Sequence, residues 1–325
     1  TTLFAEPFVT EDPLRAEGIR FIAEGGKRFR PALSLVTARS LGQGDVFPHL
    51  ALETFHKYLL AHDDIIDLDD LRYGAPTIHA KMAETHQGGG DATHFGRSLA
   101  LIAGDLMANT STKIVIDADL PTDIKLSLLQ CVAKALDEVA WGWYDQFLMD
   151  YLPLDSRQLS FARIENSIIW VTGKYSIKLP LVYGFTVAGR PMPKHLEEFA
   201  DVLGALFQTG DDLMGLFGKI EDTGKSNFGD ITQGKKTLPI WLTYTEATSK
   251  EKQRLSLLVG KKDITANEVD EVRSIIKRSG GLRKTKALMS QYRDQSLAML
   301  RKISLPEDLK KFLQGFIYFL ETRDR

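Results

Sequence analysis

Apolar residues recur at helical spacing along almost the entire chain, and this periodicity constrains the fold more than any other feature. Leu196, Phe199, Leu203 and Leu206, for example, mark one face of a helix. No convincing series of alternating strands is present, and glycines and prolines fall between the helical segments. Because helices must bury their apolar stripes on one another, the sequence predicts one all-α domain, residues 1–325, with roughly a dozen helices.

Several local features of these helices can also be predicted. Thr265 followed by Glu268 has the spacing of a capping box. A further helix is expected over residues 282–303, because Pro306 follows it. Three tryptophans in helical stretches are expected to pack in the core: Trp141, Trp143 and Trp170.

Composition excludes several classes of protein. The 325 residues are 43% hydrophobic and 26% charged, with a formal net charge of −2. These values are typical of globular proteins, and a near-neutral total argues against a general nucleic-acid binder. The single cysteine, Cys131, excludes a disulfide framework and fits a reducing compartment, so we expect a cytoplasmic protein. No uninterrupted apolar run approaches the ~18 residues of a membrane span, and we expect no integral membrane segment and no signal peptide.

Acidic residues are concentrated in one short segment. Five of the eight residues from Asp63 to Asp70 are aspartates. On a helix, Asp63 and Asp67 lie one turn apart on the same face, where like charges repel. Asp64 belongs to the same carboxylate cluster as Asp63 and Asp67. A cluster of carboxylates without histidine or cysteine ligands favours Mg²⁺ or Ca²⁺. A solvated acidic helix end is the alternative interpretation. An EF-hand is a poor match, because Ile78 stands where its bidentate glutamate belongs.

A second acidic pair strengthens the case for a metal site. Asp211 and Asp212 also lie in a strongly helical, apolar segment, residues 196–216. Acidic pairs on two apolar helices can face each other across a cavity. Because Mg²⁺ is usually held by one or two carboxylates together with substrate phosphates, a multivalent anion with Mg²⁺ would bridge such pairs.

Basic segments supply the complement to these acids. Residues 25–31 combine two glycines with three cations and end at Pro31, where a helix is predicted to open, and this pattern suits a phosphate. Arg72 directly follows the first acidic segment, while Lys225 and Lys235 follow the second pair. Each basic segment alone is typical of a solvated surface. Two acidic helices and three basic segments in one helical chain favour a phosphate-handling site.

With these residues in view, the sequence resembles the trans-isoprenyl diphosphate synthases, the polyprenyl synthetase family, and most of all its short-chain geranylgeranyl and farnesyl types. The resemblance covers most of the chain, and its motifs occur in the order and spacing of the family. They are GGKRFRP at 25–31, HKYLLAHDDIIDLDDLRYGAPTIH at 56–79, FQTGDDLMGLFG at 207–218 and GKSNFGDITQGKKTLP at 224–239. The resemblance implies an isoprenoid synthase-type helical bundle around a central cavity, and a homodimer.

The resemblance also implies a role for each matching residue. Two aspartate motifs would bind Mg²⁺ and, through it, an allylic diphosphate: Asp63, Asp64 and Asp67 in the first, Asp211 and Asp212 in the second. Three basic residues would hold the allylic diphosphate directly: Arg72, Lys225 and Lys235. The pocket for isopentenyl diphosphate would contain Lys27, Arg30 and His56. Two polar residues would lie near the reacting carbons: Thr172 and Gln208.

Four positions depart from the commonest pattern of the family. Tyr73 stands where a second arginine usually helps to bind isopentenyl diphosphate, and Val171 replaces a lysine. Gly215 occupies the place of the last aspartate of the second motif, a form that resembles some geranylgeranyl diphosphate synthases. Lys219 replaces an acidic residue. These departures leave two alternatives open: a weakly active or regulatory subunit of a heteromeric prenyl synthase, and a terpene synthase on the same scaffold.

Product length is the remaining expectation from the resemblance, which implies that side chains just before the first motif form the floor under the growing chain. Tyr58 and Leu59 occupy that position. At ~1.5 Å per residue, Tyr58 lies ~7–8 Å below the metal end of a helix. A bulky tyrosine there predicts a short product, C20 with C15 next, although ordinary core packing would equally explain the residue.

Overall fold

Amphipathic helices form nearly all of the regular structure in the computed structural model, which describes residues 13–218 and 229–322. In chain order the helices and strands of these ranges are α1 (Pro13–Ala23), α2 (Phe29–Ser40), a 3₁₀ turn (Phe47–His49), α3 (Leu50–Ile66), β1 (Leu71–Arg72), β2 (Ala75–Pro76), α4 (Ile78–Glu84), α5 (Ala92–Asp117), α6 (Thr122–Asp150), α7 (Phe161–Ile168), a π-helix (Ile169–Lys178), α8 (Leu179–Val187), α9 (Leu196–Phe217), α10 (Gly229–Gln233), α11 (Leu238–Glu246), α12 (Ser249–Leu258), α13 (Ala266–Arg278), α14 (Gly281–Lys302) and α15 (Glu307–Thr322). The predicted all-α class is therefore confirmed.

The chain divides into two compact units. The first takes in the described residues up to Gln130 together with Pro180–Arg190. The second takes in Cys131–Leu179 and the described residues from Pro191 onward. The expectation of a single domain over residues 1–325 stays a prediction.

Helix α3 is the centre of the first unit, where it packs against α5, and α5 also packs against α4. Two glycines of α5 make this close approach possible. A Cβ atom at Gly96 would overlap the backbone of α4, and one at Gly104 would overlap the ring of His62 on α3. The Ser111 hydroxyl of α5 donates to the carbonyl of Ala51 at 2.8 Å and fastens the two long helices together. These contacts hold α3 firmly along its length.

The second unit packs α9 against the π-helix and α14. At the first crossing, Gly204 and Gly173 bring two backbones together, since a Cβ at Gly204 would overlap Gly173. The predicted face of α9 is confirmed, because all four of its marker residues are completely buried: Leu196, Phe199, Leu203 and Leu206. A separate apolar cluster joins α9 through Leu216 to α10–α13.

Other local predictions have mixed outcomes. The capping box of Thr265 and Glu268 is confirmed at the start of α13, and α14 matches the helix predicted over residues 282–303. The prediction is wrong for Trp141, which is 64% exposed, and for Trp170, which is 40% exposed. Trp143 is half-buried. Helical periodicity places such residues on a face but does not say which face meets the core.

One described helix, α5, is long and apolar enough to cross a membrane by length and composition alone, although no uninterrupted apolar run suggested it. Its apolar window is 44% buried in the structure. The contacts of α5 with α3 and α4 account for that buried part. Core helices of soluble proteins also pass this test, so the finding is weak support for a membrane span.

His49 gives the first unit a pH-dependent stability. Its ring is 1% exposed and lies with Nδ1 2.8 Å from the Ser34 hydroxyl. Burial lowers the pKa of His49 from its ordinary 6.5 to about 4, with a smaller contribution from Arg39. The unfolded chain therefore takes up this proton first, and the stabilisation present above pH 6.5 is lost as the pH falls towards 4.

We predict that His49→Gln reduces the loss of stability on acidification. Over the window between pH 6.5 and pH 4, the titration of His49 should remove roughly 3 kcal/mol from the free energy of unfolding. Urea denaturation at pH 7 and pH 4.5 measures this loss in the native and variant chains. His94→Gln, on an exposed side chain of α5, is the matched control. An equal loss in the native chain and in H49Q would contradict the assignment.

Candidate active site

The first aspartate motif lies at the C-terminal end of α3. Asp63 and Asp64 belong to its last turn, and the Asp67 amide closes the helix by donating to the Asp63 carbonyl at 2.8 Å. The predicted one-turn spacing of Asp63 and Asp67 is thus present. The side chain of Asp64 is only 1% exposed, whereas that of Asp63 is 28% exposed. A buried carboxylate next to an accessible one requires compensating positive charge.

Arg72 supplies that charge. It comes from a hairpin in which Arg72 pairs with Ala75, and both residues of the tight turn, Tyr73 and Gly74, have positive φ. Its guanidinium donates to Asp63 at 3.0 Å and also bonds Asp64. Burial would lower the pKa of Arg72, but Asp64 and Asp63 outweigh burial and raise it. Arg72, predicted to hold a diphosphate, here holds the first-motif carboxylates.

A basic pocket lies beside the same helix. Gly25, Gly26 and Arg28 all have positive φ, and α2 begins at Phe29, two residues before the predicted start at Pro31. This turn leaves Lys27 exposed, while the guanidinium of Arg30 is buried and lies 4.6 Å from the centre of the Phe29 ring.

His56 of α3 lies within reach of these cations. Its side chain is buried, and burial lowers its pKa well below the ordinary value. The positive charges of Arg30, Lys57 and Arg72 lower the pKa further, in that order. A neutral imidazole surrounded by cations is the arrangement that an anion would stabilise.

The ring of Tyr73 covers the turn at Gly25. A Cβ atom at Gly25 would overlap this ring, so glycine is required there both for its positive φ and for its missing side chain. The same ring lies 5.2 Å from Nζ of Lys57, a buried residue that sequence reasoning did not single out. Its only signal in the sequence is its position directly after His56.

The second aspartate pair lies on α9 in the second unit. Asp212 is 5% exposed, and its Oδ1 accepts a hydrogen bond of 2.7 Å from Nε2 of Gln208 one turn earlier. Its buried Oδ2 has no hydrogen-bond donor within the described ranges. Burial, with the charges of Asp230 and then Asp211, raises the pKa of Asp212 well above its ordinary value. A buried carboxylate oxygen that lacks a donor fits a Mg²⁺ ligand, which needs no proton on that oxygen.

Asp230, on α10, was missed by sequence reasoning. Gly215 lacks the carboxylate of the second motif, and a Cβ atom there would lie only 3.0 Å from Oδ2 of Asp230. The Asp230 carboxylate thus lies next to Gly215, where the last aspartate of the second motif usually stands. Nζ of Lys235 lies 3.7 Å from its Oδ1, which places this predicted phosphate-binding lysine beside an acidic group. The sequence signal was the position of Asp230 between Lys225 and Lys235 in one motif.

Thr172 is buried in the π-helix, and Gln208 lies on α9, which crosses the π-helix at Gly173 and Gly204. Helices of the π type are often found at functional sites. Lys174, the nearest cation to the missing lysine at Val171, forms an ion pair with Asp201 at 2.7 Å. Lys174 is therefore already engaged and does not replace that lysine.

The predicted chain-length residues lie on α3 before the first motif. Leu59 is 1% exposed, and Tyr58 is half-buried with its ring 4.8 Å from that of His62. Burial raises the pKa of Tyr58, as expected for a phenol in apolar surroundings. Tyr58 and Asp63 thus share one continuous helix.

Lys225 and Lys219 lie outside the described residues. Within residues 13–218 and 229–322, no group of three or more histidine, cysteine, aspartate or glutamate side chains is arranged to hold a metal ion by itself. Because Mg²⁺ usually completes its shell with water and substrate phosphates, a site with few protein ligands remains compatible with it.

Comparison with known proteins gives concordant results. The sequence pattern of the polyprenyl synthetase family matches residues 13–276. The chain is 27% identical over 311 residues to (2E,6E)-farnesyl diphosphate synthase of Mycobacterium tuberculosis, which covers 92% of this chain and 80% of the relative. It is 29% identical over 318 residues to heptaprenyl diphosphate synthase component 2 of Geobacillus stearothermophilus, with 96% and 90% of the two chains covered.

The fold comparison agrees with the sequence comparison. A crystal structure of geranylgeranyl pyrophosphate synthase from Corynebacterium glutamicum, complexed with isoprenyl diphosphate and magnesium, superposes with a TM-score of 0.86 and 25% identity. The match covers 95% of this chain and 90% of that one. The family pattern spans most of the chain and includes both aspartate motifs, so this protein is a member of the polyprenyl synthetase family.

Proposed function

We propose that this trans-prenyltransferase condenses isopentenyl diphosphate with an allylic diphosphate in a Mg²⁺-dependent reaction that yields a short all-trans prenyl diphosphate, C20 in preference to C15. One observation carries the proposal. Helix α3 presents His56, within a group of cations, and the Asp63–Asp64 pair seven residues later. Seven residues are two turns, so the two groups lie on similar faces about 10 Å apart.

Two diphosphates that are bound in different ways fit this arrangement. The cations around His56 suit a diphosphate that is bound directly, which we assign to isopentenyl diphosphate with Lys27 and Arg30 as further contacts. The acidic end of α3 suits a diphosphate bound through metal, which we assign to the allylic substrate. Five aspartates would hold Mg²⁺: Asp63, Asp64, Asp67, Asp211 and Asp212. When bound, Mg²⁺ neutralises diphosphate charge and makes the diphosphate a better leaving group.

The residues of the chain then assist the reaction in sequence. Arg72, Lys225 and Lys235 stabilise the negative charge that develops on the allylic diphosphate as its C–O bond breaks and the electron pair leaves with oxygen. The double bond of isopentenyl diphosphate attacks the allylic carbon, and the departing diphosphate accepts the proton that is lost. We assign Thr172 and Gln208 to positions near the reacting carbons, as the family resemblance implies, and we expect apolar side chains to keep water from the allylic cation.

A homodimer is part of the proposal, and exposed apolar side chains support it. Trp141, Tyr144 and Phe147 of α6 are all 49% or more exposed, and Leu101 and Ile102 of α5 are 46% and 49% exposed. Large apolar faces of this kind mark protein–protein contacts. A second copy of the chain would bury them.

One finding favours a second candidate function. The similarity to a component of a heptaprenyl diphosphate synthase is compatible with a subunit that needs a different chain for full activity. The substitutions at Tyr73, Val171 and Gly215 agree with such a role. A terpene synthase on the same scaffold would have less need of Lys27, Arg30 and His56.

The proposed reaction is tested with purified protein, Mg²⁺, isopentenyl diphosphate and each of the C5, C10 and C15 allylic primers. We expect condensation, with a C20 product exceeding C15. No condensation under any pairing, with activity appearing on addition of a second protein, would favour the subunit. A hydrocarbon formed from an allylic diphosphate alone would favour the terpene synthase.

We predict that Asp63→Asn lowers kcat for condensation by about a hundredfold or more, because one metal-binding carboxylate is lost. Steady-state kinetics at saturating Mg²⁺ measure the change. Asp123→Asn, on the exposed start of α6, is the matched control and should leave kcat unchanged. Full activity in D63N would contradict the metal assignment.

We predict that Tyr58→Ala lengthens the product by at least one C5 unit, because it removes the ring five residues below Asp63 on α3. Chromatography of the dephosphorylated products measures their length. Tyr58→Phe keeps the ring and should leave the length unchanged. The same product from Y58A and the native chain would show that Tyr58 is ordinary core packing.

A further inference from the structure

Lys57 is a buried cation with no ion-pair partner among the residues that the structure describes. Its side chain is 1% exposed, and its Nζ donates a hydrogen bond of 2.7 Å to the carbonyl of Glu24. The rings of Phe21 and Tyr73 each lie 5.2 Å from Nζ. Within the described part of the chain, no carboxylate lies within 4.0 Å of this ammonium. A buried charge with one neutral acceptor is costly, which makes the group unusual.

The arginines around Lys57 are, by contrast, each compensated. Arg20 pairs with two glutamates, Arg28 with one and Arg72 with aspartates of the first motif: Glu17, Glu24, Glu53, Asp63 and Asp64. The acids in this region are thus already engaged by guanidinium groups. Lys57 adds positive charge that the neighbouring carboxylates do not directly match.

The ammonium remains positively charged near neutral pH. Burial, with the charge of Arg28, lowers the pKa of Lys57 to about 8, while Glu53 acts in the opposite direction. An anion bound nearby would stabilise the charged form.

A small cavity lies against this group. It has a volume of about 70 Å³, and its lining includes Arg20, Glu24, Gly25, Lys57, Arg72 and Tyr73. Gly25 and Tyr73 are exposed, so the cavity borders solvent at that side. The one acid of the lining, Glu24, is ion-paired with Arg20. The three cations, Arg20, Lys57 and Arg72, and the glycine turn make a surface on which phosphate oxygens can be held.

Position 73, where relatives usually have an arginine that helps to bind isopentenyl diphosphate, is a tyrosine at the edge of this cavity. Tyr73 contributes no positive charge, and its ring packs over the ammonium of Lys57 instead. We propose that Lys57 provides a diphosphate-binding cation of the isopentenyl diphosphate pocket, and that the ring of Tyr73 holds its ammonium at the cavity. The inference rests on the proposed function, because it assigns a further contact to that substrate. The competing explanation is that Lys57 only fastens α3 to the end of α1 through Glu24.

Two substitutions separate the charge of Lys57 from its hydrogen bond. Lys57→Gln keeps an N–H donor for the Glu24 carbonyl but removes the charge, whereas Lys57→Met removes both. Isothermal titration with isopentenyl diphosphate alone measures binding without turnover. We expect the Kd to rise about 10- to 100-fold in both variants, as for the loss of a charged hydrogen bond. Lys81→Gln, on an exposed lysine of α4, is the matched control and should bind like the native chain.

A rescue variant tests the position of the charge. In the double variant K57Q/Y73R, an arginine at 73 returns a cation to the cavity, and we expect at least a tenfold recovery of affinity over K57Q. Thermal melting of each variant reports folding. If K57M is too unstable to titrate, K57Q and K57Q/Y73R still test the inference, because affinity should fall in the first and recover in the second.

The outcomes distinguish this inference from the proposed function. Native affinity in K57Q, with condensation intact in the native chain, would overturn the role of Lys57 and leave the proposed reaction standing. A lower melting temperature in K57M with no change in Kd would assign Lys57 to fastening α1. If the native chain neither binds isopentenyl diphosphate nor catalyses condensation, both the proposed function and this inference are overturned.

Discussion

The ion pairs between Arg72 and the carboxylates at the end of α3 are the constraint on which the first half of the site depends. Asp64 is almost fully buried, and an unpaired carboxylate in that environment would cost several kcal/mol. Arg72 removes this cost only because a tight hairpin returns it to the helix end. The hairpin also fixes Tyr73 beside the glycine turn, so one electrostatic requirement positions both the acidic and the basic parts of the unit.

Much of the fold could be predicted from periodicity and helix-end signals. The buried face of α9, the capping box at Thr265 and the spacing of Asp63 and Asp67 all follow from local sequence rules. Those rules could not predict that Trp141 is exposed, because periodicity does not identify which face of a helix packs against its neighbours. They also gave no indication of the π-helix, in which Gly173 lies at the close crossing with α9.

For the site, likewise, the sequence predicted which types of residue take part but not which residues they contact. The motifs identified the acidic and basic groups, but not that Arg72 would bond the aspartates, nor that Asp230 would lie beside Gly215. Such contacts join residues that are eight to fifteen positions apart, and helical spacing does not relate residues at these separations to one another. Lys57 was overlooked for a related reason, since a lysine in an apolar stretch carries no sign of its own burial.

The glycine turn at residues 25–26 has a consequence for how this pocket can change during evolution. Gly25 has no room for a side chain while Tyr73 is present, and Tyr73 itself holds a left-handed backbone that costs a tyrosine about 1 kcal/mol. Substitutions at the two positions are therefore coupled, and the order in which they occur matters. A lineage that replaced Gly25 first would have to displace the ring at 73, whereas a change at 73 first leaves the turn intact.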